Sequence, residues 1–390
     1  MSGSARPLRL RAMRALVILC AASALLATAA IAGPVVRARP ANRHRPSPSP
    51  LRLDGRLAAA GSRLCKSLRV PAQSVTELSC QALQRAVRSG PYPFLWQMTQ
   101  VINATLIAGS NAPRSARQKY ASQVYASLHH YAHPSFSTGL TAAAAGGLHY
   151  YDDDAWAGLD LIEAYNQSGQ RQLLQAAAGV LTYQRTGEWR PSDPPDQHMY
   201  PGGIYWNANR RFRALNATAA TAQLALEVYQ GTHARGDLAL GKQEYSWARQ
   251  VLGNTNGLYR ERVDPGGTVE GNGEDNGNGF MIGAGVLLYR ATHDKQYLDQ
   301  AVQTAKASVS HFTTPMLEYT CPAYNASYFA NLAGLHHVGK ASSQSLKAYA
   351  KWVTEHTDAH TGVFSAPHYH CHAPSPQAGA VGTLSLRAVG

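Results

Sequence analysis

Three apolar stretches of this chain end on tyrosine and give way to a polar turn and then to a more amphipathic run. They are Leu159 to Tyr165, Gln223 to Tyr229 and Gly285 to Tyr289, and their tyrosines lie 64 and 60 positions apart. A regular period of this length marks repeated supersecondary units that bury their apolar faces only by stacking on one another. The unit here is a helical hairpin. Its first helix is apolar on most faces, which suits burial, and its second keeps a polar face for the outside.

Helical spacing extends well beyond these three units. Leu95, Met98, Ile102, Leu106 and Ile107 predict one helix, and Gln118 to Tyr131 predicts another, stopped by His133-Pro134. Further helices are expected at Asp153–Tyr165, Gln170–Gln184, Ala222–Tyr229, Glu244–Leu252, Phe280–Tyr289 and Lys295–Phe312. Residues 51–90 are ambiguous and read as a short helical lead-in. Long loops rich in Gly, Asn, Pro and aromatic residues, Trp189 to Trp206 and Gly253 to Gly279, precede the inner helices. Gathered at one end of a helical stack, they would form a cleft, which favours a closed ring over an open solenoid.

The ends of the chain bound its setting. Arg6, Arg9, Arg11 and Arg14 precede an apolar run from Ala15 to Ala32, closed by Ala30-Ile31-Ala32. That is the layout of a signal peptide over residues 1–32, with an uncleaved anchor as the other reading. Residues 33–55 form a Pro/Arg-rich linker, and residues 56–390 form the folded domain. Beyond the signal, four cysteines remain, an even count that suits disulfides outside the cytosol. The expected pairs are Cys65–Cys80 and Cys321–Cys371. His368, His370 and His372 flank Cys371 and raise a metal role for it, but the expectation is no metal.

The formal charge of +13 suggests nucleic acid until it is located. Residues 1–56 hold ten Arg and one Asp, so +9 of it lies in the tail, and the other 334 residues carry only +4. A nearly balanced body with no basic stripe does not make a phosphate-binding surface, so no nucleic-acid partner is expected. No Gly-rich phosphate loop, His-Glu-x-x-His or Gly-x-Ser-x-Gly is present, which disfavours the enzymes that carry them.

The chemistry points to Tyr150-Tyr151-Asp152-Asp153-Asp154-Ala155-Trp156. Acids at a helix start cap free N–H groups and suit the macrodipole. One cap needs one acid, however, and the aromatic flanks supply faces on which sugar rings stack. Retaining glycoside hydrolysis needs two carboxyl groups about 5–5.5 Å apart. Neighbours on a helix diverge by about 100° and can flank one bond from two sides. Their mutual repulsion raises one pKa and keeps that group protonated as an acid.

Over roughly residues 92–365 the chain resembles glycoside hydrolase family 76, the endo-α-1,6-mannanases. Tyr151-Asp152-Asp153-Asp154-Ala155-Trp156 is similar to the family's Tyr-Asp-Asp-Asn-x-Trp. Leu95-Trp96, the loop Gly202-Gly203-Ile204-Tyr205-Trp206, Asn216 and the run Asn278-Gly279-Phe280-Met281-Ile282-Gly283-Ala284 match further motifs in order and spacing. The resemblance implies an (α/α)6 barrel and retaining cleavage of α-1,6-mannosidic bonds without a cofactor. It makes Asp152 the nucleophile and Asp153 the acid/base. Asp154 stands where the family often has Asn, so a register shifted by one, with Asp153 and Asp154 as the pair, remains open. Tyr151, Asp154, Trp156, Gly203, Trp206, Asn216, Glu261, Asn278 and Gly279 are the residues expected to meet substrate. For each, a local role competes: core packing for Trp156 and Trp206, a tight turn for Gly203, helix capping for Asn216 and Asn278. Asp160 reads as a buried, paired group. The family's Lys-Gly-x-x-x-Arg is absent, and Asn325-Ala326-Ser327-Tyr328-Phe329 occupies that region.

The expected protein is thus an exported, monomeric hydrolase of mannan-type polysaccharide. A transglycosidase remodelling cell-wall glycan, or a glycan-binding protein that has lost turnover, are its rivals.

Overall fold

The computed structural model describes residues 55–389 apart from 69, 71–72, 90–91, 336–338, 366–370 and 372–373. The signal peptide, residues 33–54 of the linker and the histidines flanking Cys371 lie outside the described residues.

The apolar, alanine-rich segments form an inner set of six helices: α3 (Leu95–Gly109), α5 (Tyr151–Ser168), α7 (Leu215–Thr232), α9 (Asp275–Thr292), α12 (Pro322–Ala333) and α14 (Ser375–Val389). Each packs against the next, and α14 returns to α3, so the set closes. Small residues permit the close approach: α7 buries Ala217, Ala219, Ala220, Ala222 and Ala225 on most of its faces. The amphipathic partners lie outside as α4 (Arg114–His129), α6 (Arg171–Gln184), α8 (Arg235–Trp247), α10 (Lys295–His311) and α13 (Gly339–Glu355), with the one-turn α11 (Thr314–Leu317) ahead of α12. The sixth outer position is taken by the start of the chain. There α1 (Gly55–Lys66) and α2 (Val75–Ser89) pack on each other, and α2 packs on α14. The architecture is an (α/α)6 barrel, and the ambiguous lead-in is the part that completes it.

The repeating tyrosines have a backbone reason. Tyr165, Tyr229 and Tyr289 each offer their carbonyl to the N–H of a residue four positions on, Gly169, His233 and His293, at 2.7–2.8 Å. All three donors adopt the left-handed conformation, with φ of 76°, 58° and 60°, and stop their helix with an αL cap. Two residues then suffice to reach the outer helix in each hairpin. The third outer helix differs from expectation: α8 begins at Arg235, not near Glu244, and runs into a π turn at Ala248–Leu252. A Cβ on Gly241 would lie 2.6 Å from Leu226 Cγ, so this glycine marks close helix packing.

Both disulfides are formed. Cys65–Cys80 staples α1 to α2, and Cys321–Cys371 ties the start of α12 to the segment ahead of α14. Three two-residue strands, β1 (Arg213–Ala214), β2 (Arg262–Val263) and β3 (Val269–Glu270), pair antiparallel in that order. Arg213 faces Val263 and Arg262 faces Glu270, which joins the two long loops beside the starts of α7 and α9. Among the described residues no helix is long and apolar enough to cross a membrane.

Candidate active site

The helix starts of the inner ring gather at one end. There a cleft of about 370 Å³ is lined by Phe94, Trp96, Tyr150, Asp152, Asp153 and Trp156, with Trp206 and Tyr324 completing the wall. Asp152 and Asp153 fill the second and third positions of α5, where backbone N–H groups lack intrahelical acceptors. Tyr150 at the N-cap provides no side-chain cap, and Asp152 Oδ1 accepts the Asp153 N–H at 3.0 Å instead.

The two acids have unlike surroundings. Asp152 Oδ2 accepts from the Trp206 indole Nε1 at 3.0 Å and from Asn216 Nδ2 at 2.7 Å. Asp153 takes no side-chain hydrogen bond from any described residue. Burial pushes Asp152 up to about 7, against the pull of the Asp153 amide and the Trp206 indole, which favour its charge. Burial drives Asp153 well above the carboxylate range, and the charges of Asp152 and Asp154 drive it further. Asp152 therefore ionises first, and Asp153 holds its proton. Neighbouring carboxyls so divided can supply a nucleophile and an acid.

Asp154 does not join them. A further 100° around the helix turns it to the loop before α5, where its Oδ1 accepts the Leu140 N–H at 3.1 Å and the residue has no solvent exposure. Its expected contact with substrate is not what the structure shows. The same correction holds for Tyr151, whose ring stacks on Tyr183 and whose hydroxyl meets Thr186 Oγ1 at 3.1 Å. Gly203 is a turn residue: at φ 79° its Cβ would lie 2.6 Å from the Trp247 ring. Asn278 is buried and donates to the carbonyls of Gly273 and Glu274, fixing the loop ahead of α9. Gly279 lets α9 approach Tyr328 Cα to 3.0 Å of a would-be Cβ. Glu261 is exposed and pairs with Arg262 at 3.7 Å, outside the cleft lining.

Trp156 does line the cleft, edge-on to Tyr324 at 5.6 Å. Trp206 is held by three aromatic and backbone contacts. It stacks on Phe212 at 5.1 Å, meets the Tyr150 edge at 5.0 Å and accepts the Tyr151 N–H on its carbonyl. The loop that presents it is anchored by the buried Arg213, which donates to the carbonyls of Met199, Tyr200 and Gly202. Phe94 and Tyr324 were not singled out from sequence, whereas Tyr150 stood there as an aromatic flank of the acid run and Trp96 as part of a family motif. The shared signal is positional: Phe94 and Tyr150 are the N-caps of α3 and α5, and Trp96, Asp152, Asp153, Asn216 and Tyr324 occupy second or third positions of inner helices.

The family model described as glycosyl hydrolase family 76 matches residues 81–358. Among solved structures, the chain is similar to the GH76 α-mannanase BT2949 of Bacteroides thetaiotaomicron, with 16% identity, TM-score 0.63, and 85% of this chain and 94% of that one covered. It is similar to the GH76A α-1,6-mannanase of a Salegentibacter species, at 16% identity, TM-score 0.63, and coverage of 86% and 99%. It is also similar to Dfg5 from Chaetomium thermophilum in complex with glucosamine, at 13% identity, TM-score 0.54, and coverage of 75% and 79%. An inactive variant of the Salegentibacter enzyme, with two consecutive aspartates changed to asparagine, is known in complex with α-1,6-mannotriose, at 16% identity, TM-score 0.61, and coverage of 86% and 99%. No match was found among curated protein sequences. At these identities the solved structures speak for the fold, whereas the family match spans most of the chain. The chain belongs to glycosyl hydrolase family 76 and is a glycoside hydrolase.

Proposed function

We propose that the protein is an exported, retaining endo-hydrolase of α-1,6-linked mannose chains. The observation that carries this reading is the unequal pair in the aromatic cleft, Asp152 hydrogen-bonded toward its charged form and Asp153 left to hold a proton. Asp152 attacks the anomeric carbon while Asp153 passes its proton to the departing glycosidic oxygen, leaving a glycosyl ester on Asp152. Water then attacks that carbon, Asp153 takes back the water proton, and the Asp152 carboxylate is released. Trp206 and Asn216 act on Asp152 rather than on the sugar, holding its carboxylate in place. Trp156, Tyr150, Tyr324 and the Trp96 region give ring faces to the glycan. The α-1,6-mannotriose complex of the Salegentibacter relative supports the linkage. The two disulfides support an oxidising compartment, as export would provide.

The test is incubation with linear α-1,6-mannan. Oligosaccharides with the α configuration at the first-formed reducing end are expected. Release from another glycan only would overturn the substrate, and first-formed β product would overturn the retaining course. Phe94, 57% exposed at the cleft mouth, offers a stacking face to an incoming sugar. It favours a second reading in which a sugar hydroxyl captures the glycosyl ester. Longer products on adding an acceptor oligosaccharide would establish transfer.

A further inference from the structure

The barrel interior has a second cavity, and it lies at the other end of the inner helices. Along α5 the lining passes from Asp152 and Asp153 at the cleft, through Trp156 and Asp160, to Glu163. Ten residues from Asp153 to Glu163 are a rise of about 15 Å. The same progression occurs on α3 from Trp96 to Ile107, on α12 from Tyr324 to Asn331, and on α7, where Asn216 bonds Asp152 while Gln223 and Glu227 lie far below. Between the two cavities is a neck of about 30 Å³. That is the room of about one water, so no glycan runs from cleft to chamber.

The chamber measures about 320 Å³ and brings together Asn103, Glu163, Gln223, Glu227, Arg290 and Asn331 from five helices. These side chains are half-buried, with Arg290 exposed at the rim, and their innermost polar atoms cost free energy unless something answers their hydrogen bonds. Two groups lack a protein partner. Gln223 Oε1 is one, and the other is Oδ2 of Asp160, which faces the neck on a side chain only 2% exposed. Gly283 makes the convergence possible: a Cβ there would lie 2.2 Å from Asn331 Oδ1 and 2.6 Å from Gln223 Oε1.

The donor set selects a ligand class. Two carboxylates exclude a small anion. Among the described residues no three His, Cys, Asp or Glu side chains are placed to hold a metal ion. The Arg290 guanidinium on the wall opposes a simple cation, while burial pushes Glu227 up to about 7 against the weaker pull of Arg290. Planar acceptors and donors alternating with the apolar surfaces of Leu159 and Phe280 suit a neutral polyol with an apolar ring face. At the low end of the usual ~300–1,000 Å³ for ligand pockets, the volume suits one sugar ring rather than a polymer.

We propose that this chamber is a second, non-catalytic sugar site that binds a free hexose-sized polyol. The assignment does not depend on the reaction at the cleft. The test uses the full chain as the double variant Asp152→Asn, Asp153→Asn, titrated with D-mannose and with D-glucose by calorimetry and ligand-observed NMR. Two further changes are added to it separately. Gln223→Leu removes a polar wall, and Asn166→Trp fills the exposed mouth of the chamber without touching the core. The expected result is saturable binding of at least one hexose, weakened at least tenfold by Asn166→Trp, and by Gln223→Leu if that variant folds. In the otherwise native chain, Asn166→Trp leaves glycan cleavage at its original rate. No saturable binding, or binding that Asn166→Trp leaves unchanged, overturns the proposal.

Discussion

The two ends of the inner helices are built from the same backbone and put to opposite uses. At the starts, free N–H groups favour acceptors and negative charge, and Asp152 sits there with the Asp153 amide bonded to it. At the finishes, free carbonyls need donors, and the N–H groups of Gly169, His233 and His293 supply them. The starts are reached through long excursions, residues 185–214 ahead of α7 and 248–274 ahead of α9, which have length enough to wall a cleft. The finishes of α5, α7 and α9 leave through two residues each. Loop length is therefore allotted to the end that does chemistry, and the other end is spent on closure.

That contrast can be broken or sharpened by substitution. The largest effect is expected at the acids: Asp152→Asn or Asp153→Asn lowers kcat on the order of 10²–10⁴-fold with the melting temperature held or raised, read as reducing-end release. Gly203→Ala comes next. It places a Cβ against the Trp247 ring and forces a left-handed backbone on alanine, at a combined cost of about 3 kcal/mol in denaturant unfolding. Trp206→Phe removes one donor from Asp152. The wild-type rate falls as pH drops through the Asp152 value, because the nucleophile must be ionised. Losing a bond to the charged form raises that value, so the acid limb of the pH–rate profile moves up by about one unit. At the opposite end, His233→Gly relieves a left-handed non-glycine residue and stabilises by about 0.5–1 kcal/mol with no change in kcat. A loss of activity in that variant would show that the two ends are coupled.

Much of this division could be read before any coordinates. The tyrosine period exposed the hairpins because an apolar helix must end where its polar turn begins. The acid run stood out because three adjacent carboxylates exceed what one helix start can use. What stayed hidden depended on rotation and on distant partners. Asp154 looks like its neighbours in sequence, yet one more step around α5 carries it to Leu140. Asn278 and Gly279 match a motif, yet they serve loop fixation and helix packing. Tyr324 follows a stretch with no resemblance to draw on and became visible only through its place in the first turn of α12. The residues 55–89 carried too weak a pattern to reveal that they finish the ring.

That last arrangement sets a timetable. The seam is held by Gln377 Nε2 donating to Ser79 O at 3.1 Å and by Arg85 Nη2 donating to Thr361 O at 2.8 Å, across 298 and 276 residues. At about 5–20 residues per second, the ribosome takes roughly 15–60 s to travel from one side of the first contact to the other. Throughout that interval the early side of the seam has no partner to close on. The helix that seals the ring, α14, is thus made after every other inner helix.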